Sequence, residues 1–333
     1  MRILVISNNP TRPSFRQRIG VYLPLLRDNR IDAEVARLPK TFWARRRLFG
    51  RAVDFDAVLL HKKKLNLLDA WALRGAARRI IYDFDDAVMY SPHRPDRTSR
   101  SHAAPFRRTV ALADTVIAGN RYLAEHAQRF NANVHVVPTG LDVAPYRAAA
   151  GDDRGDCVRL VWIGSKSTLG YLAGIRPALE QLGRQFERLV LRIVCDEFLG
   201  FDHLAIEKRP WSEQTQHGDL ATADIGLAPL PDNRFTQGKC GFKVLQYFAA
   251  SLPVVASPVG VNADFVQPGR NGFHARSDAE WVGGIGRLIR DAASRKRMGE
   301  KACETAAQFD LGVVGPRFLA LVRQSLSEGV ARA

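Results

Sequence analysis

The sequence predicts an α/β chain of two doubly wound parallel sheets, and three observations predict it. Short apolar, β-branched runs alternate with longer amphipathic stretches from end to end, the pattern of repeated parallel β/α units. The alternation breaks once, at 147–156, where a small, polar, glycine-containing stretch carries no apolar period. A chain of 333 residues also exceeds the size at which one hydrophobic core stops growing, so two domains are expected.

In the first half, strands are expected near Ile3–Ser7, Ala33–Leu38, Ala57–His61, Ile80–Asp83, Thr115–Ala118 and Val134–Val137. After the break they resume near Arg159–Ile163, Val190–Val194, Leu204–Glu207, Ile225–Ala228, Val254–Ala256 and Gly272–His274. The stretch from Arg295 to Val330 is helical in pattern, is interrupted near Gly312–Pro316, and could cross back onto the first domain. The domains are therefore read as 1–148 and 149–308, with a closing helix in 309–333. Ligands of such folds sit at the carboxyl ends of the strands, here a crevice shared by the two sheets.

Composition narrows the class. Hydrophobic residues make up 46% and charged residues 25%, an ordinary globular mixture that excludes disorder. No run approaches the roughly 20 apolar residues of a membrane-spanning helix. The apolar start, Met1 to Ser7, is too short for a signal peptide, and the four cysteines have neither a zinc spacing nor disulfide density. A cytoplasmic setting with no bound metal is expected. Net charge is +15, and the first 150 residues carry nearly all of it, with 26 Lys+Arg against 13 Asp+Glu. Clusters such as Arg45-Arg46-Arg47, Lys62-Lys63-Lys64 and Arg78-Arg79 suit a phosphorylated acceptor or an anionic membrane surface. Nucleic acid is disfavoured, because the clusters lack interleaved aromatics and no reading motif accompanies them.

The richest segment runs from Ala223 to Phe273. A strand leads into a polar loop, a helix of about ten residues follows, and Leu252-Pro253 ends it. Phe242, Leu245, Phe248 and Ala249 would form its apolar stripe, with Lys239, Lys243 and Gln246 stacked on another. Two lysines at a helix start oppose the macrodipole by a few tenths to about 1 kcal/mol each, unless an anion sits on the free N–H groups around Gly238, Cys240 and Gly241. The pattern thus points to a phosphate site.

The block Gly238-Lys-Cys-Gly-Phe-Lys-Val-Leu-Gln-Tyr-Phe-Ala-Ala-Ser-Leu-Pro-Val-Val-Ala-Ser-Pro-Val-Gly260 resembles the donor-binding signature of retaining GT-B-fold glycosyltransferases of the "glycosyl transferases group 1" family. Ser14-Phe-Arg-Gln-Arg-Ile-Gly-Val-Tyr-Leu-Pro-Leu-Leu26, Tyr82-Asp-Phe-Asp-Asp-Ala87, Val137-Pro-Thr-Gly-Leu-Asp142 and Trp162-Ile-Gly-Ser-Lys-Ser-Thr168 resemble further landmarks of a bacterial subgroup. The resemblance implies two Rossmann-like domains and transfer of a sugar from a nucleotide-diphosphate donor, with retention, to a glycan, lipid-linked or phosphorylated acceptor. No metal or other cofactor is implied. It implies a place in cell-envelope polysaccharide synthesis, and the basic first half could lie against anionic lipid headgroups at the inner membrane face. The donor residues it implies are Gly164, Ser165, Lys166, Trp211, Lys239, Cys240, Gly241, Phe242, Lys243 and Gln246. Much of the family carries Glu where this chain has Gly238 and Gln246; Gln246 can still bond a ribose diol, without charge assistance.

Three acids, Asp83, Asp85 and Asp86, follow an apolar strand, and like charges so close usually serve a ligand, a proton transfer or a tight turn. The resemblance sets Asp85 or Asp86 near the sugar, so these join Lys239 and Lys243 as expected catalytic residues. A competing reading takes Ile80–Val88 as the Asp-x-Asp strand of a magnesium-dependent phosphatase with Asp83 as nucleophile; another is nucleotide-sugar binding without turnover. Arg16 and Arg18, in the loop after the first strand, could both reach an acceptor phosphate. Gly260 to Asn262 could approach the sugar by backbone, and His61 is read as structural.

Overall fold

A computed structural model describes residues 1–97, 99–148 and 157–327. The 147–156 break falls almost wholly outside them. The chain forms two compact units. The first comprises Met1–Leu141, Asn233–Cys240 and the chain from Leu311 onward; the second comprises Asp142–Asp232 and Gly241–Asp310.

The sheet of the first unit contains β1 (Arg2–Ser7), β2 (Asp32–Arg37), β3 (Ala57–His61), β4 (Ile80–Phe84), β5 (Thr115–Ala118) and β6 (Val134–Val136) in the order β2-β1-β3-β4-β5-β6, all parallel. Strands β3, β4 and β5 are buried along their whole length, as strands with helices on both faces must be, which is why they read as largely apolar runs. The edge strand β2 has no fully buried residue and keeps Asp32, Glu34 and Arg37. Strand order reverses between β1 and β3, so the carboxyl ends of those two strands mark the switch point.

The second sheet contains β7 (Val158–Ile163), β8 (Leu189–Val194), β9 (Ala205–Arg209), β10 (Ile225–Ala228), β11 (Val254–Ala256) and β12 (Gly272–His274) in the order β12-β11-β10-β7-β8-β9, again all parallel. Its switch point lies between β7 and β10. The twelve strands stand where the apolar runs place them, within a residue or two.

One detail of chain path differs from the sequence reading. The interruption in the C-terminal helical stretch is at 308–310, because Pro316 lies inside the helix Leu311–Ser327. That helix belongs to the first unit: Val314, Phe318, Leu319 and Val322 are buried with Ile3, Val5, Tyr22 and Leu59 in one core. Tyr22 and Phe318 stack at 4.6 Å. Burying four such side chains supplies roughly 1.5–3 kcal/mol each, enough to fix the segment far from its sequence neighbours.

Candidate functional site

In the first unit the predicted acids sit at the carboxyl end of β4, and they separate into two sets. Asp83 faces inward with 0% of its side chain exposed. Arg18, 1% exposed, donates from Nε to Oδ1 (3.1 Å) and from Nη2 to Oδ2 (2.8 Å), and from Nη1 to the Val137 carbonyl (2.7 Å). His61 Nδ1 lies 3.2 Å from Asp83 Oδ1, and its ring meets Phe15 edge-on at 5.8 Å. Burial alone would raise the Asp83 pKa, but Arg18 and His61 hold it below the ordinary value. This correction removes Asp83 as a phosphatase nucleophile, since both its oxygens are occupied in a closed ion pair. It likewise turns Arg18 from an open acceptor contact into a buried structural partner. Arg16, two residues earlier, is half-buried.

Asp85 and Asp86 follow the strand and remain 15% and 22% exposed. Lys62 Nζ contacts both, at 3.0 Å from Asp85 Oδ1 and in a short bond to Asp86 Oδ2; Lys239 Nζ donates to Asp86 Oδ1 at 2.9 Å. Lys62 follows β3 in the left-handed region (φ 55°), an uncommon conformation for a lysine, with its N–H on the Asp83 carbonyl at 2.8 Å. That turn points the first lysine of the basic run at the carboxylates. Burial opposes the Asp86 charge, but Lys239 and then Lys62 outweigh it and draw the pKa down to about 2. Asp86 is thus held ionised.

The segment bearing Lys239 is placed by glycine. A Cβ at Gly238 would stand 2.7 Å from Ala87 Cβ and 2.9 Å from its N, so this position has no room for any side chain. Asn120 Nδ2 secures the same turn, donating to the carbonyls of Gly238 (3.1 Å) and Lys239 (3.2 Å). Cys240 Sγ contacts the Asp85 carbonyl at 3.3 Å, and a Cβ at Gly119 would be 3.1 Å from Asp85 Cα. Burial, then Asp85, pushes the Cys240 thiol up to about 12.

In the second unit, Gly164 to Thr168 leaves the carboxyl end of β7 at the switch point. Ser165 and Thr168 form a reciprocal capping box that shapes this loop. Lys243, on the helix Phe242–Ala249, reaches it: Nζ donates to Thr168 Oγ1 at 3.2 Å and lies 4.1 Å from the centroid of the Trp162 ring. A Cβ at Gly164 would be 2.6 Å from Lys243 Nζ and would overlap the Trp162 ring. Lys166 is exposed and pairs with Glu197. Trp211 is half-buried.

The helix starts later than the periodicity suggests. Gly241 (φ 65°) is its N-cap, and a Cβ there would be 2.7 Å from the Phe265 ring, so Lys239 and Cys240 precede the helix and share no face with Lys243. Phe242 follows as its first residue, and no side chain caps the turn. Nor is there a polar stripe: Val244 to Ala249 are all buried. Gln246, 4% exposed, donates through Nε2 to Tyr146 Oη (3.0 Å) and Gln216 Oε1 (3.2 Å). Charge and spacing singled out Lys243, and Lys62 was marked only as part of a basic cluster; Tyr146 and Gln216 had no local signal. Among the described residues no three His, Cys, Asp or Glu side chains are grouped to hold a metal ion, and no helix is long and apolar enough to cross a membrane.

Residues 212–291, which contain the helix with Lys243 and the strands on either side of it, match the profile of the family described as "Glycosyl transferases group 1". Solved structures extend the likeness to the whole glycosyltransferase fold. Anabaena Alr3699/HepE, determined in complex with UDP and glucose, is 16% identical with a TM-score of 0.70, covering 97% of this chain and 100% of its own. A glycosyltransferase from Rickettsia africae is 12% identical with a TM-score of 0.71, covering 98% of each. A UDP-forming α,α-trehalose-phosphate synthase from Burkholderia xenovorans is 14% identical with a TM-score of 0.67, covering 100% of both. No curated protein matches the sequence. The two doubly wound parallel sheets are thus the α/β arrangement of GT-B glycosyltransferases.

Proposed function

We propose that the protein is a glycosyltransferase that takes a sugar from a nucleotide diphosphate, UDP being the first candidate, with retention at the anomeric carbon. The observation that carries this is Lys243 held over Trp162 and Thr168 at the uncapped start of a helix, at the switch point of the second sheet and within the matched family segment. The relatives solved with UDP, or named for forming it, support the choice of nucleotide. Fold alone would be a weaker argument, since one fold serves many reactions.

The chemistry follows from charge. As the bond from the anomeric carbon to the diphosphate oxygen breaks, negative charge grows on the leaving group; the Lys243 ammonium and the first N–H groups of Phe242–Ala249 are fixed dipoles and charge suited to it. In this reading those groups neutralise the diphosphate, the Gly164 to Thr168 loop closes round it and Lys166 lies at its rim. Trp211 stands by the base. Gln246 supports the ribose side through the Tyr146 and Gln216 network. The acceptor oxygen bonds to the anomeric carbon on the face the diphosphate leaves, and its proton passes to the departing phosphate, so no carboxylate nucleophile is needed.

In the first unit the cluster of Lys62, Asp85, Asp86 and Lys239 suits an acceptor hydroxyl. A carboxylate with a pKa of about 2 is a poor proton acceptor at neutral pH but a strong, fixed hydrogen-bond acceptor. Asp86 is accordingly assigned to orienting a hydroxyl and Lys239 to holding Asp86 ionised. A polysaccharide or lipid-linked acceptor is proposed.

The test is a thermal-shift screen of nucleoside diphosphates and their sugars on the wild type and Lys243→Ala, because a ligand of the folded state raises the melting temperature. One diphosphate should shift the wild type, and the shift should disappear in the variant. If none shifts the wild type, the donor assignment fails. Donor binding with neither transfer nor slow hydrolysis would leave a binding protein without turnover.

A further inference from the structure

Four large apolar side chains of the first unit stand out in water: Trp43 (80% exposed), Trp71 (71%), Leu67 (68%) and Leu68 (59%). They occupy two helices that pack on each other, Phe42–Gly50 and Leu67–Ala76. Spacing explains their alignment on the second helix: Leu67 and Leu68 precede Trp71 by four and three residues and share its face. Arg46 joins the two helices, its guanidinium 5.1 Å from the Trp71 ring centroid and 5.8 Å from that of Phe42, and Phe42 meets Trp43 edge-on at 5.2 Å. One aromatic and aliphatic surface therefore spans both helices.

Cations surround it. Arg47 is exposed on the first helix, Arg45, Lys63 and Lys64 are half-buried beside it, and Asp69 is the carboxylate among them, bonded by Arg45 at 3.1 Å. The group is short of negative charge. Burial, then Lys63, draws the Lys64 pKa down to about 8, and burial, then Arg45, lowers that of Lys63.

We propose that this surface docks on an anionic lipid bilayer, with Trp43, Trp71, Leu67 and Leu68 entering the interface and Arg46, Arg47, Lys63 and Lys64 meeting lipid phosphates. Indole rings flanked by arginines suit the headgroup level, where one side of the ring is wet and the other apolar. Nucleic acid would use the rings and cations but gives Leu67 and Leu68 no role, whereas acyl chains use all four. Charge complementarity thus selects an anionic membrane over an uncharged one. The inference rests on this surface alone and does not require the transfer reaction.

The test is flotation of the full chain with vesicles of phosphatidylcholine alone or with phosphatidylglycerol, at low and high salt, using brominated lipid to quench tryptophan. Binding is expected only to the phosphatidylglycerol vesicles, with quenching, and should weaken with salt. Arg46→Gln and Arg47→Gln should each lower partition about fivefold. Trp43→Ala/Trp71→Ala should lower it by roughly tenfold or more and abolish the bromine quenching, with melting temperature and diphosphate shift as in the wild type. Absence of binding at low salt, binding unchanged in the double variant, or a dimer in solution that the double variant dissolves would overturn it.

Discussion

Replacing Asp83 by Asn tests the division of the three acids into one buried brace and two exposed ligand groups. Arg18 and Asp83 are 1% and 0% exposed and share three side-chain bonds at 2.8–3.1 Å. Removing one charge of such a pair leaves the other buried without compensation, at a cost of about 3–5 kcal/mol. For a unit of this size each kcal/mol moves the melting temperature by roughly 2–4 °C, so the transition of the first unit should fall by roughly 6–20 °C. The apolar double replacement, Arg18→Met with Asp83→Leu, should recover much of that loss, because it removes both charges and keeps volume. Circular dichroism melts of the wild type, both single variants and the double variant form the cycle. A melting temperature for Asp83→Asn within about 2 °C of the wild type, or a double variant as unstable as the sum of the singles, would refute the argument. A nucleophile would behave otherwise, losing phosphate release with little change in stability.

The remaining predictions concern the other groups of the two clusters. Gly164→Ala places a methyl against Trp162 and Lys243 Nζ and should weaken diphosphate binding at least tenfold by calorimetry, roughly 1.4 kcal/mol. The Asp86 pKa is lowered on folding, so its contribution to stability is complete above the unfolded value of 3.8 and is lost as pH falls towards about 2; Asp86→Asn should flatten urea-unfolding stability across that range. Cys240, with its thiol raised to about 12, should resist iodoacetamide at pH 8, whereas Cys157 and Cys303, half-exposed as Cys240 also is, should be alkylated, as read by peptide mass mapping. Gln246→Ala removes the donor to Tyr146 Oη and Gln216 Oε1 and should cost about 1–3 kcal/mol in the melt of the second unit.

The strands were legible because a fully buried parallel strand is an apolar, β-branched run wherever it stands, and that signal is local. Ile80–Phe84 and Ile225–Ala228 need no partner to be recognised. The grouping behind the proposed anion site was legible in outline, as glycines and a lysine at the opening of an apolar helix. Its details were not. The chain from 233 to 240 belongs with the first unit, and the helix opens only at Phe242, because Gly241 packs under Phe265 and Gly238 against Ala87. Neither contact has a periodicity that could announce it.

What the sequence determined by itself is therefore the class of the molecule: two parallel sheets, their strand positions, an uneven distribution of positive charge, and a segment shared with group 1 glycosyltransferases. Tertiary structure alone decided which charges meet. Lys62 reads as one of three lysines in a basic run, and Arg18 as one of two loop arginines, yet a left-handed turn aims the first at Asp86 and burial locks the second to Asp83. Such pairings join residues 24 and 65 positions apart, and the energy of a buried charge depends on the neighbours that folding brings to it, which local order does not encode.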